Sequence, residues 1–254
     1  MKLLTRAIVM ILLLCSTIAR AEVLSFEDVT NDYELYVTVW EGSVELRPSN
    51  DNTVSVEYAC DEDASAQAMT TASGLRVVSR ESSVPELRRS DDKITFKAME
   101  EAGRCRIAVS APPSLGARVR IDDTGEIVVR DWQGTMTAWS AGGDVTLSSH
   151  LGAFSVTAMN GDANVEFIGD SLGADSAITA SNGLAALSLP EQPAVTLRAQ
   201  ARWGAVMTDL EAQFSRETDD NSTWSVAELG GGGPVITLRN LNSDITITRV
   251  AGTN

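Results

Sequence analysis

Glycines stand at positions 125, 134, 143, 152 and 161, each nine residues after the last, and the spacing then loosens through Gly173, Gly183 and Gly204. The second and fourth residues after six of these glycines are all apolar: Ile127 and Val129, Met136 and Ala138, Val145 and Leu147, Phe154 and Val156, Ala163 and Val165, Ala185 and Leu187. The residues between them are mostly polar, with Val128, Ala153, Leu184 and Ala186 as exceptions. Alternation at period two is a strand with one buried face. Glycine at a fixed phase reads as a corner, where positive φ costs it little. Units this short leave no room for helical crossovers. The pattern predicts an all-β, single-domain β-solenoid, parallel β-helix-like, with roughly 18–22 residues per turn and inward side chains stacked on the next turn. A β-sandwich of short hairpins is the rival, which Asn160-Gly161 and Asn182-Gly183 leave open.

Residues 22–120 read as a less regular β region and residues 121–254 as the regular glycine-phased repeats. In the first part "GSVELRPSNDNTVSVEY" alternates through Val44, Leu46, Val54, Val56 and Tyr58, and "DKITFKAM" and "CRIAVSAPP" alternate again. Residues 61–74 and 80–92 are polar and read as loops. Short helical pieces are expected only around Ala66–Thr71 and Leu210–Arg216.

The run "ELGGGGPVITLRN", residues 228–240, carries four consecutive glycines. A phosphate loop needs Gly-Lys-Ser/Thr and a following helix. Here Pro234 and a β-like "VITL" follow instead, so a tight turn that re-enters the stack is expected.

Residues 1–21 have the marks of a signal peptide: Lys2 and Arg6, an apolar run from Ala7 to Leu14, and Ala19-Arg20-Ala21 as a cleavage site. The run is shorter than the roughly 20 residues of a spanning helix. The expected mature domain is 22–254, exported to the periplasm, the cell surface or the medium, with no membrane span after cleavage. Cleavage takes three of the 20 basic side chains and none of the 35 acidic ones, leaving a formal charge of −18. Such a surface repels nucleic acid at long range. Cleavage also removes Cys15 and leaves Cys60 and Cys105. Neither sits in a C-x-x-C motif, and an oxidising compartment favours pairing them, so a structural Cys60–Cys105 disulfide is expected.

Three stretches, "RIAVSAPPSLGARVRIDDTGEIVVRDWQG", "GGDVTLSS…MNGDANVEF…SNGLAALSLP" and "LGGGGPVITLRNLNSDITITRV", resemble a widespread family of exported β-strand-repeat proteins catalogued as proposed adhesins. The resemblance spans roughly residues 40–249. It implies a β-solenoid at the bacterial envelope and supplies no catalytic residues. Ser243 stands where the pattern leads one to expect Gly, which implies a looser turn.

Several motifs imitate chemistry. "GDSLG", Gly169–Gly173, matches the nucleophile elbow around Ser171, but the one histidine, His150, lies upstream and the following "ADSAITASNG" reads poorly as a helix. His150 is expected at an exposed corner. "GGDV" hints at a calcium-binding roll, yet only Asp144 and Asp162 fit the repeat. The expected protein is therefore not an enzyme and has no catalytic, cofactor-binding or metal residues. It acts as an adhesin-like interaction scaffold whose flat face meets an envelope protein or glycan. The competing expectation is a carbohydrate-active enzyme or glycan-binding protein with a groove beside the coil, using Trp132, Trp139, Trp203 or Trp224, residues better suited to packing at corners or against end caps.

Overall fold

The computed structural model describes residues 21–61, 85–219 and 222–250. The expected signal segment, apart from Ala21, and the helical piece at Ala66–Thr71 lie outside these residues. The described chain is all-β and contains no α-helix, only a 3-10 turn at Glu100–Ala102. Its strands are β1 (Glu22–Phe26), β2 (Glu34–Val39), β3 (Glu41–Pro48), β4 (Val54–Cys60), β5 (Glu86–Arg89), β6 (Lys93–Ala98), β7 (Arg104–Ala111), β8 (Gly116–Arg130), β9 (Met136–Gly142) and β10 (Val145–His150). They continue with β11 (Phe154–Ala158), β12 (Ala163–Phe167), β13 (Ser176–Ala180), β14 (Ala185–Leu189), β15 (Val195–Ala201), β16 (Val206–Thr208), β17 (Ser215–Asp219), β18 (Ser222–Leu229), β19 (Val235–Asn240) and β20 (Ile245–Arg249).

Two parallel ladders run through these strands and meet in the long strand β8. The first ladder stacks β6, β2, the start of β8, β9, β11, β13, β19 and β15. The second stacks β7, β3, the end of β8, β10, β12, β14, β20 and β16. Val145 pairs with Ile127 on one side and Ala163 on the other, eighteen residues away each time. Ala163 pairs with Ala185, a step of twenty-two. The network does not close on itself.

Sequence order and stacking order part company at both ends. β19 lies between β13 and β15, and β20 between β14 and β16, so the last strands of the chain fill the second-last positions of the ladders. Likewise β2 lies between β6 and β8, and β3 between β7 and β8. Antiparallel strands cover most of the exposed edges, which would otherwise template further pairing. β5 lies on β6, β4 and then β1 on β7, and the β17–β18 hairpin on β15. That hairpin overrides the helical expectation at Leu210–Arg216: the segment is irregular to Phe214 and extended from Ser215. β5 likewise occupies part of the stretch read as a loop at 80–92.

The inward residues of both ladders merge in one apolar cluster. Many are small, including Ala117, Ala138, Ala158, Ala163, Ala180, Ala185 and Ala199, each 2% exposed or less. Small inward side chains suit a thin core between closely spaced ladders, and larger ones such as Phe96, Trp132, Phe154 and Phe167 fill it where there is room.

The glycines form two columns. A Cβ on Gly125, Gly143, Gly161 or Gly183 would strike the backbone of the glycine one step down its column, namely Gly42, Gly125, Gly143 and Gly161. A Cβ on Gly152 would likewise strike Gly134 at the opposite corner. Most of these glycines have ordinary negative φ. The expectation that positive φ selects them is therefore corrected: close backbone approach between stacked corners selects them. The run at 230–232 is a place where φ does decide, at 57°, 90° and 80°. It takes the chain off the β17–β18 hairpin and inserts β19 into the first ladder, the re-entrant turn that the sequence suggests.

Candidate binding face

Residues that alternate with the core point outward, and the two ladders present different outer surfaces. On the first ladder, register aligns Tyr36 with Arg118 and Thr137, and Arg120 with Trp139 and Thr157. The middle strands contribute Ser155, Ala177, Thr179 and Thr237, and the far end Arg198, Gln200 and Arg239. The face is thus a hydroxyl-rich band between two arginine–aromatic clusters. In the near cluster the Arg118 guanidinium lies 2.6 Å from Glu34, and Tyr36 donates its hydroxyl to the same carboxylate at 2.7 Å. Burial alone would raise the Glu34 carboxyl. The Tyr36 and Arg118 hydrogen bonds and the Arg118 and Lys93 charges outweigh it and hold the carboxyl below its usual range. Arg120 stacks 4.1 Å above the Trp139 ring. In the far cluster Trp224, 3% exposed, lies against Arg198 at 4.3 Å and Arg239 at 4.9 Å.

On the second ladder three corner aspartates are occupied with the backbone. Asp144 accepts the Asp162 N–H at 2.8 Å, Asp162 accepts the Leu184 N–H at 2.7 Å, and Asp244 accepts the Ala205 N–H at 2.8 Å. Each ties one corner to the next, which accounts for the Gly-Asp pairs at 143–144 and 161–162. No group of three or more His, Cys, Asp or Glu side chains is arranged to hold a metal among the described residues. An asparagine ladder runs beside them: Asn182 donates to Asn160 and Asn242 donates to Asn182, both at 2.7 Å. Ser243, where glycine is expected, donates its N–H to buried Asn240, whose side-chain amide also bonds the Gly183 and Asp244 carbonyls. Asn240 sits at an inward phase that reads as apolar on most other strands, so the sequence pattern alone does not single it out.

Cys60 and Cys105 are joined in a disulfide across the β4–β7 pair, where they are register partners. His150 is fully buried, not an exposed corner. The reason is a bulge: Leu147 pairs with Val165 but His150 pairs with Phe167, and the extra residue, Ser149, has φ of 52°. One inserted residue reverses the parity and turns the ring inward. Neither ring nitrogen has a hydrogen-bond partner among the described residues, and the ring packs edge-on to Phe154. Ser171 is exposed and forms an isolated parallel bridge with Ala194, and no hydrogen bond links it to His150. Of the four tryptophans weighed as glycan contacts, Trp132 and Trp224 are buried, Trp139 is half-covered by Arg120, and Trp203 is 73% exposed. Trp132 donates to the Leu115 carbonyl at 2.9 Å, a corner-packing role.

A proposed cell adhesion protein from Clostridium sporogenes ATCC 15579 is similar to this chain with a TM-score of 0.43 and 10% identity, over 91% of this chain and 99% of its own. A proposed adhesin from Bacteroides fragilis NCTC 9343 is similar with a TM-score of 0.37 and 10% identity, over 91% of this chain and 97% of its own. No family model and no curated protein matches the sequence. The likeness is distant, and the functional reading rests on the geometry of the faces.

Proposed function

We propose that this chain is an exported, non-catalytic β-solenoid of the adhesin type, an interaction scaffold that offers the outer face of its first ladder to an envelope partner. The observation that carries the reading is that face: eight parallel strands in register, with short hydroxyl side chains across the middle and arginine–aromatic clusters at either end. Steps of 18 and 22 residues in both ladders support the solenoid reading. A disulfide fits an oxidising compartment, in keeping with the signal-like N-terminus.

The test is photocrosslinking in intact cells, with the reactive residue placed either at Thr157 on the first ladder or at Asn164 on the second. The proposal expects one discrete adduct from Thr157 and none from Asn164. Turnover of an ester or glycan by the purified protein, abolished by Ser171→Ala, would sink it.

A further inference from the structure

We infer that the far end of the first ladder's outer face is a binding site for an acidic glycan, with Arg202 and Arg239 holding its carboxylates and Trp203 stacking on a sugar ring. The inference deepens the proposed binding role and rests on it. A shallow hollow of about 490 Å³ lies there, lined among others by Thr179, Ser181, Gln200, Arg202 and Arg239. Among the described residues no carboxylate lines it. In a chain with 35 acidic and 20 basic side chains that is a local inversion of charge. Arg118, Arg120 and Arg198 each pair with an acid on the same face. Arg202 and Arg239 are exposed and take part in no ion pair with the described residues.

The ladder order builds this site. Thr179 and Ser181 come from β13 and the residue after it, Arg239 from β19, Gln200 from β15 and Arg202 from the corner behind it. Only the insertion of β19 between β13 and β15 places Arg239 among them. Main-chain bonds from Arg202 N–H to the Asn240 carbonyl and from Trp203 N–H to the Leu241 carbonyl fix the corner. Those bonds set Trp203 level with Asn242, so it stands where the asparagine ladder would continue. It is the most exposed large apolar side chain described, with the Arg202 guanidinium 5.8 Å from its ring. Arg239 is braced on Trp224.

The chemistry of the hollow selects its occupant. Guanidinium forks bind carboxylates in two-point fashion. Hydroxyl and amide groups match sugar hydroxyls, and an exposed indole offers an apolar surface for the flat face of a ring. A neutral glycan would leave the arginines without counter-charge. Guanidinium forks take phosphates as well as carboxylates, so single-stranded DNA is the comparison that separates a sugar-specific site from a general polyanion site.

The experiment is affinity electrophoresis of the full mature protein in gels containing polygalacturonate, with dextran and single-stranded DNA as comparisons. Retardation by polygalacturonate alone is expected. It should weaken about tenfold or more in the Arg202→Gln/Arg239→Gln variant and severalfold in Trp203→Ala, and be unchanged in Arg130→Gln, on the other ladder. Tryptophan fluorescence gives a readout that does not depend on the arginine variants folding: polygalacturonate should change the emission of the native protein, and Trp203→Phe should abolish the change. Polygalacturonate binding no stronger than to dextran, equal loss in Arg130→Gln, full binding by the double arginine variant, or tighter binding of DNA would each overturn the assignment. Release of new reducing ends would instead overturn the non-catalytic reading and leave the site standing.

Discussion

Asn242 donates from its side-chain amide to the Oδ1 of Asn182 at 2.7 Å, although sixty residues separate them. Asn182 passes the same bond on to Asn160, twenty-two residues away. The ladder therefore records stacking order, not chain order. Asn182→Ala breaks two of its links. Both are exposed, and each such bond is worth about 0.5–1.5 kcal/mol net. A loss of about 1–3 kcal/mol is expected in urea unfolding. Asn50→Ala, outside the ladder, should change stability by less than about 0.5 kcal/mol.

Two glycines one strand apart in sequence should answer alanine in opposite ways. At Gly183 the new Cβ would run into the Gly161 backbone, which is itself fixed in the stack. At Gly173 nothing lies within 4 Å and φ is not positive. Gly183→Ala should lower stability by several kcal/mol or prevent folding, whereas Gly173→Ala should be neutral or stabilising by about 0.4–1 kcal/mol. Similar melting temperatures for the two variants would refute backbone approach as the reason for the column.

Val145 is fully buried and its neighbour Thr146 points outward. Val145→Asp places a carboxylate in a dry stack without a partner, at a cost of several kcal/mol. Thr146→Asp should shift the melting temperature by no more than a few degrees. Equal effects at the two positions would contradict the assigned phase.

Much of this was legible because period-two alternation and a fixed glycine phase are local facts. Val145, Leu147, Phe154 and Val156 point inward as their spacing requires. What escaped depends on pairings that no local pattern encodes. Strands of similar inward composition compete for the slot beside β13, and β19 takes it ahead of β15. The far-end hollow inherits that choice, since Arg239 reaches Thr179 and Gln200 only through it. His150 escaped for a smaller reason, the single residue Ser149, whose bulge resets the alternation.

The Cys60–Cys105 bridge closes a loop with a sequence separation of 45. The chain-entropy estimate for such a loop is roughly 4 kcal/mol. Since 1 kcal/mol moves the midpoint of a domain this size by about 2–4 °C, Cys60→Ser/Cys105→Ser should melt roughly 8–16 °C lower. The bridge holds β4 on β7, at the N-terminal end of the second ladder. Circular dichroism below the midpoint should therefore still report a β-rich chain. Two free thiols per chain in unreduced protein from its native compartment would end the idea.

His150 makes the last prediction. Its ring is sealed beneath the corner beside Phe154, and burial pushes its pKa from 6.5 down to about 4. Main-chain groups of Ala153, Gly152 and Trp132 pull weakly the other way, yet none completes a hydrogen bond to the ring. The folded protein therefore keeps the imidazole neutral, while the unfolded chain protonates it as pH falls through about 6.5. The unfolded state binds the extra proton, so stability is fully present above that pH and declines below it. The decline levels off near pH 4, where the folded form also takes the proton, by which point the loss amounts to about 3 kcal/mol. His150→Phe keeps an aromatic ring in the cavity and removes the titration. In urea titrations between pH 7.5 and 4.5 the native protein should lose about 2–3 kcal/mol more than this variant. Parallel pH profiles for the two proteins would show that His150 does not stay neutral in the folded state.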